Sequence, residues 1–283
     1  MLKRLKNEVV HSVWAMWHQM QEGDFVQTYT EKGFRGSDKE WESMCIPFDE
    51  DAKICLNGVI DRVDLCSLPG EELIKIIDYK SSDSQDLSLA KVYYGLQMQL
   101  LTYLEAAKEM VEKEHKGKEA VPAAMLYYAI KEKNLDWKPE SEEEYEKRVL
   151  DSMKCKGYVN EEPEIIGHLD KSVVDGGELI PGQKSGVVPV AVDKKGLLKK
   201  NSGTLSTKDF ETLIAHTKEK MKECGKAILD GKIEAIPYVY EDNDGCTYCP
   251  YGSVCGHESK KDGVREMKKM SDDEVWEALY GDD

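Results

Sequence analysis

Ile76-Ile77-Asp78-Tyr79-Lys80, taken with Gly58-Val59-Ile60-Asp61 upstream, decides the fold of this chain. Both are short apolar runs rich in β-branched residues, and each closes on an aspartate, the pattern of a buried strand. Between them, Ser67-Leu68-Pro69-Gly70 is turn chemistry: proline presets φ and glycine supplies φ > 0. Two strands joined through a modest hairpin would set Asp61 and Asp78 side by side. Apolar strands exclude unpaired carboxylates because burying the charge is costly, and binding a cation is one of the few ways to stabilise two of them together. Mg²⁺ takes one or two carboxylates plus water. An ammonium beside such a pair, here Lys80, can orient a water and stabilise the charge that develops as a phosphodiester is attacked. Aspartate-x-lysine alone is common by chance, so the surrounding sequence must carry the assignment.

Outward from this point, Ser88 to Lys116 reads as one long helix with the stripe Leu89, Val92, Leu96, Leu100, Tyr103, Ala107 and Val111. Gln99 and Tyr103, four apart, share a face. They are either a core glutamine bonded to backbone beside a packed tyrosine, or a pair facing the strand ends to contact the phosphate or the attacking water. Phe25 to Phe34 reads as extended, with Glu31 as a further acidic candidate and a stop at Gly33 and Gly36. Residues 2 to 21 read as a helix whose apolar stripe is Leu2, Leu5, Val9, Val13, Trp17 and Met20. Pro122 to Ile130 reads as a strand buried on both faces. Beyond it, a charged helical piece from Ser141 to Cys155 opens on a capping box, Ser141 with Glu144. A glycine-rich stretch and a hairpin from Val187 to Lys200 are expected next. Ser206 with Asp209 then starts a helix with the face Phe210, Leu213, Thr217, Met221, Cys224 and Ile228, closed by Gly231. The resulting division is one domain over 1–283: an N-terminal helix (1–24), a core (25–130), an insertion (131–205), a helix with a cysteine cluster (206–262) and a charged tail (263–283).

The chain is 40% hydrophobic and 33% charged, the balance of a globular protein, and no apolar run approaches a membrane span. The basic start Met1-Leu2-Lys3-Arg4 leads into an amphipathic pattern rather than a signal peptide, so a cytoplasmic location without membrane association is expected. The net charge of −16 opposes any reading in which this chain alone grips nucleic acid, since neutralised phosphates supply much of that affinity. Acidic residues also outnumber basic ones between Asp61 and Lys108. The expectation is that a nucleic acid is held by something outside the chain, with a bound metal contributing local positive charge.

Of eight cysteines, Cys45, Cys55, Cys66, Cys155 and Cys224 are scattered singly and are expected to be reduced, partly buried small hydrophobes. Cys246, Cys249 and Cys255 cluster as Cys246-Thr-Tyr-Cys249-Pro-Tyr-Gly-Ser-Val-Cys255, a strong metal-site pattern. Zinc and cubane sites take four protein ligands, so a fourth would come from His257, a scattered cysteine or a residue outside the chain.

The order of these pieces resembles a known family. Gly58-Val-Ile-Asp-Arg-Val-Asp64, Ile77-Asp-Tyr-Lys-Ser-Ser82, Tyr93-Tyr-Gly-Leu-Gln-Met-Gln-Leu-Leu-Thr-Tyr103 and Cys246-Thr-Tyr-Cys-Pro-Tyr251 are similar to the C-terminal nuclease domain of the AddB family, subunits of AddAB helicase–nucleases that process double-strand DNA ends. The resemblance covers most of the chain and is thinnest over 131–186. It implies an α/β fold with a PD-(D/E)XK (restriction-endonuclease-like) core, a central mixed sheet flanked by helices, and a C-terminal cysteine (iron–sulfur) subregion. It implies Mg²⁺ held by Asp61, Asp78 and the backbone carbonyl of Tyr79, Lys80 as the catalytic lysine, and Gln99 and Tyr103 as the family's Q-x-x-x-Y helix motif. Glu31 matches the early acidic position only loosely. Cys246, Cys249 and Cys255 match three ligands of a [4Fe–4S] cluster. The family's first cluster cysteine and a histidine motif lie upstream of the core, and His11 sits on the helix that follows that motif. The chain is therefore expected to be a C-terminal fragment that holds the cluster poorly by itself.

The implied activity is that of a Mg²⁺-dependent DNA exonuclease module in an ATP-dependent helicase–nuclease for recombinational repair. Its implied partners are DNA, an AddA-like helicase–nuclease subunit and an upstream helicase-like part of its own longer chain. The alternative is a DNA-end-binding or scaffolding module stapled by the iron–sulfur loop. A CRISPR-adaptation nuclease shares the core and cysteines, but the wording of the motifs favours the AddB family.

Overall fold

In the computed structural model the two aspartate-bearing runs are adjacent antiparallel strands at the centre of a six-stranded sheet. The structure describes residues 2–35, 41–81, 86–130, 141–257 and 263–281. Gly36, Ser82 and the start of the 131–205 segment lie outside the described residues.

The elements begin with helix α1 (Leu2–Gln21), strand β1 (Val26–Phe34), the short pair β2 (Met44–Pro47) and β3 (Lys53–Leu56), then β4 (Gly58–Leu68) and β5 (Glu71–Lys80). Helices α2 (Leu89–Tyr93) and α3 (Gln99–Glu114) follow, then β6 (Glu119–Ala129), α4 (Glu142–Ser152), β7 (Lys156–Asn160) and α5 (Pro163–Leu169). Two-residue strands β8 (Val174–Asp175) and β9 (Glu178–Leu179) pair with each other, and β10 (Thr204–Leu205) joins the main sheet. Helix α6 (Thr207–Leu229), β11 (Tyr238–Tyr240), β12 (Asn243–Asp244), α7 (Gly252–Cys255), β13 (Arg265–Met267) and α8 (Asp272–Tyr280) complete the chain.

The main sheet has the order β1-β4-β5-β6-β7-β10 and is mixed: β5/β6 and β7/β10 are parallel, the other neighbours antiparallel. This is the α/β architecture with a mixed central sheet flanked by helices. β5 and β6 are buried almost end to end, because both of their faces are covered. On one face α3 packs against β5 and β6. On the other, Met16, Gln19 and Met20 of α1 line a small cavity with Arg62, Lys75, Tyr79, Tyr128 and Cys155.

The chain divides into two compact units. The first comprises residues 1–44, 55–87 and 98–214 and contains the six-stranded sheet; the second comprises 45–54, 88–97 and 215–283. The second has its own sheet in the order β12-β11-β13. Within it His216 stacks on Tyr93, with ring centroids 5.2 Å apart, and its Nε2 lies 2.8 Å from the Tyr93 carbonyl oxygen.

Several local expectations are met. Ser141 and Glu144 form a reciprocal capping box, Ser206 and Asp209 bond in the same way, and Gly231 takes a φ of +68° after α6. Others are corrected. The helix expected over 88–116 is two helices, broken at Gly95, whose φ of +76° no helix accommodates. The side chain of Gln97 then accepts a hydrogen bond from the Ser88 amide across the break. The middle of the expected α1 stripe does not face inward: Val9, Val13 and Trp17 are each more than half exposed, while Ser12 and Ala15 are buried and Met20, at the end of the stripe, lines the cavity against the sheet. Ser12 is drawn in by its hydroxyl, which donates to the Ile130 carbonyl at 2.9 Å. On α6 the face is buried from Phe210 to Met221, but Cys224 and Ile228 are exposed. In place of a regular hairpin, the 187–200 segment has one isolated bridge of its own, Val192↔Leu198, and another from Ala191 back to Lys184. Cys45 and Cys55 are disulfide-bonded rather than reduced, whereas Cys66 and Cys155 are free and buried as expected.

Candidate active site

The ladder between β4 and β5 ends at Arg62↔Ile77, so Asp61 and Asp78 face each other one step beyond the last pair, where the two strands part. Asp61 is an interior residue of β4 rather than its end, because β1 goes on pairing with β4 past this point as far as Gly58. The main-chain N–H of Tyr79 donates to Asp61 Oδ2 at 2.8 Å, which fixes that carboxylate. Asp78 is buried at 2% exposure. Its Oδ2 lies 2.6 Å from the Lys80 ammonium yet has no partner in hydrogen-bonding geometry among the described residues. Burial pushes the Asp78 carboxyl above its ordinary value; Lys80 pulls it back, and the negative charge of Asp61 pushes it up further.

Lys80 Nζ also donates to Gln99 Oε1 at 3.1 Å, and Gln99 Nε2 donates to the Tyr103 hydroxyl at 2.9 Å. Gln99 is the first residue of α3 and is exposed, so the account of it as a core glutamine bonded to backbone does not hold. Helix spacing places Tyr103 one turn on from Gln99, and its ring forms a T-shaped pair with Phe34 of β1, with centroids 6.1 Å apart. Gly58 lets Phe34 into that place: a Cβ there would stand 2.6 Å from the Phe34 ring and 3.5 Å from the Tyr103 ring. Phe34 is fully buried and cannot yield. Gly58→Ala is therefore expected to lower stability by about 1–3 kcal/mol through overpacking, checked by urea unfolding, and to displace Tyr103 from Gln99.

Glu31 is not gathered with these groups. Its register sets it opposite Asp61, between Thr30↔Arg62 and Lys32↔Ile60, but its φ is +47° and its side chain is exposed. The described residues hold no group of three acidic, histidine or cysteine side chains arranged to hold a metal. Mg²⁺ does not require three, since two carboxylates with water suffice. The paired carboxylates of Asp61 and Asp78, one of them with a buried oxygen that has no hydrogen bond among the described residues, fit a hard divalent cation.

Two features were invisible in the sequence. Tyr127 of β6 is paired with Asp78, and its ring lies under the Lys80 ammonium, 5.1 Å from Nζ to the centroid. Burial, then the charge of Asp78 and the neighbouring Tyr103, pushes its phenol up to about 12. Behind the same strands, Asp64 binds Arg62 through two bonds of 2.6 and 2.8 Å and Lys75 at 2.9 Å, all three buried. Neither group carries a motif, and the register that assembles each is a tertiary property.

The cysteine loop belongs to the second unit. Asp244 Oδ1 accepts from the amides of Cys246 and Thr247 at 2.8 and 2.6 Å, and the Cys249 amide donates to the Cys246 carbonyl at 3.1 Å, which shapes the turn. Cys246, Cys249 and Cys255 are exposed. Desolvation, with Asp244 and the other two cysteines, holds the Cys246 thiol above its usual value, so without a bound cation it stays protonated. Three thiols are one ligand short of a cubane cluster. Among the described residues these three thiols do not themselves form a group arranged to hold a metal.

A family model described as the PD-(D/E)XK nuclease superfamily matches residues 1–256. The chain belongs to that superfamily. Its relatives include AddB proteins, each named as a subunit of an ATP-dependent helicase/deoxyribonuclease, in agreement with the resemblance drawn from the motifs. That of Lachnoclostridium phytofermentans is 34% identical over 95% of this chain and 22% of the relative. That of Clostridium kluyveri is 32% identical over 98% and 23%, and that of Clostridium botulinum 33% over 98% and 24%. The chain thus spans under a quarter of the length of these relatives. Among the described residues no helix of this PD-(D/E)XK chain is long and apolar enough to cross a membrane.

Proposed function

We propose that the chain is a Mg²⁺-dependent DNA exonuclease module, working within an ATP-dependent helicase–nuclease that processes double-strand DNA ends for recombinational repair. The observation that carries this reading is the pairing of Asp61 and Asp78 beside Lys80, with one buried carboxylate oxygen left without a hydrogen bond among the described residues. Asp61, Asp78 and the Tyr79 carbonyl would hold Mg²⁺. When bound, the ion polarises the scissile phosphate and lowers the pKa of an attacking water. Asp61 is oriented for its part by the Tyr79 amide. Lys80, positioned by Asp78 and Gln99, stabilises the charge that develops on the phosphate, while Gln99 and Tyr103 position the nucleic-acid backbone. Glu31 serves at most as an outlying acidic group at the rim.

The −16 charge supports a division of labour. A single strand would be delivered by a helicase-like part of a longer chain and by an AddA-like partner in the cytoplasm, and this module would cut what it is fed. Cys246, Cys249 and Cys255 would give three ligands to a [4Fe–4S] cluster whose fourth lies elsewhere. The same acidic balance favours a second reading, a DNA-end-binding or scaffolding module without cleavage. Addition of EDTA separates the two. In the protein carrying this chain, EDTA should abolish cleavage, and Lys80→Met should lower the rate about 10²–10³-fold, the cost of losing one preorganised electrostatic group. Degradation that persists in EDTA, or full activity in Lys80→Met, would overturn the assignment.

A further inference from the structure

We propose that Tyr127 is a positioning residue for catalysis: the face of its ring carries the Lys80 ammonium and holds it between Asp78 and Gln99. The inference rests on the nuclease reading of the site and extends it to a strand that carries no motif residue.

β5 and β6 run parallel, with Asp78↔Tyr127 and Lys80↔Ala129 as paired positions. Residues paired across a sheet share a face, and so do residues two apart in one strand. Asp78, Lys80, Tyr127 and Ala129 therefore project to the same side. Ala129, beside Lys80, offers only a methyl group, so the lysine can lean back along the sheet and over the ring of Tyr127, where Nζ sits 5.1 Å from the centroid. From there the ammonium reaches Asp78 Oδ2 at 2.6 Å and Gln99 Oε1 at 3.1 Å. The ring is buried at 5% exposure and lies near the C-terminal end of an almost wholly buried strand, so it forms a fixed floor. A lysine has four rotatable bonds, and two acceptors alone leave its stem free to swing. The negative face of an aromatic ring removes that freedom without taking a hydrogen from the ammonium. Its N–H bonds stay available for Gln99 and a phosphate oxygen, while its charge faces Asp78.

Single-turnover Mg²⁺-dependent DNA cleavage by the protein carrying this chain tests the proposal. Tyr127→Phe keeps the ring and should stay within about 3-fold of the native rate. Tyr127→Leu should lose about 2- to 30-fold in the single-turnover rate at saturating DNA, the range spanned by cation–π contacts, with the half-saturating DNA concentration nearly unchanged. Phenylalanines carrying one, two and three fluorines at position 127 keep the shape while emptying the ring face of negative potential. The rate should fall stepwise along that series, which a purely structural role would not produce, and the series decides the matter even if Tyr127→Leu folds poorly. A flat fluorine series, or a Phe variant as slow as the Leu variant, would overturn the role of the ring. Asp78→Ala in the same assay keeps the two claims apart. Loss of cleavage in Asp78→Ala together with a flat fluorine series sinks the Tyr127 proposal alone; cleavage that survives Asp78→Ala sinks the site assignment beneath it.

Discussion

Asp64→Ala is expected to destabilise the fold by about 3–5 kcal/mol, the cost of stripping the partner from a buried ion pair. Asp64 is wholly buried and serves two cations, Arg62 in a bidentate pair and Lys75 directly across the ladder. Removing it would leave a guanidinium and an ammonium facing each other behind the catalytic strands. The phenyl ring of Phe25, 4.9 Å from Lys75 Nζ, offers only weak compensation. The expected loss depends on pH. Burial raises the Asp64 carboxyl, but Lys75 and Arg62 more than reverse this and hold it below the ordinary carboxylate value. A depressed folded-state pKa contributes stability that is complete above the unfolded value of about 3.9 and is lost as pH falls through the folded value. Urea unfolding of the native protein and the variant should differ most at neutral pH and converge in strong acid. A difference below about 1 kcal/mol at pH 7 would show that the two cations do not depend on this carboxylate.

The sequence made legible those parts of the site where a polar residue interrupts an apolar pattern. Asp61, Asp78 and Lys80 stand out because strands exclude unpaired charge, and Gln99 and Tyr103 stand out because helix spacing puts them on one face. The structure brings all five together. What depended on chain geometry stayed hidden. The break at Gly95 needed a positive φ that composition alone does not announce, and it moved Gln99 from the middle of a helix to its first turn. Strand register set Tyr127 beside Asp78 and Asp64 opposite Lys75. The stripe of α1 was correctly periodic, yet periodicity does not say which side of a helix meets the sheet; the Ser12 hydroxyl bond to Ile130 marks that side, while Val9, Val13 and Trp17 stay in solvent. Glu31 was a loose match in the sequence, and the structure gives it a left-handed backbone and an exposed side chain at the register position opposite Asp61.

Asp78→Asn carries the second large expected effect and bears on the site itself. The folded-state pKa of Asp78 is raised, chiefly by burial. For a carboxyl the sign is then opposite to that of Asp64. Its ionised form is disfavoured by folding, so it costs nothing below the unfolded value of about 3.9 and its full penalty above the folded value. Removing the charge should raise the thermal stability of the metal-free protein at pH 7, with the gain fading as pH drops toward about 3. The same substitution takes a ligand from the proposed Mg²⁺ site and should abolish stabilisation by Mg²⁺, which binds only the folded state. Active sites commonly hold such incompletely compensated charge at the expense of stability.

The most direct measurement is Mg²⁺-dependent DNA cleavage by the native protein and Asp78→Asn, made side by side with melting in the absence and presence of Mg²⁺. Cleavage should fall by about 10³-fold or more, while the metal-free variant melts no lower than the native protein and no longer responds to Mg²⁺. Native-like cleavage by a folded Asp78→Asn protein would contradict the assignment of Asp61, Asp78 and Lys80 as the site of phosphodiester hydrolysis.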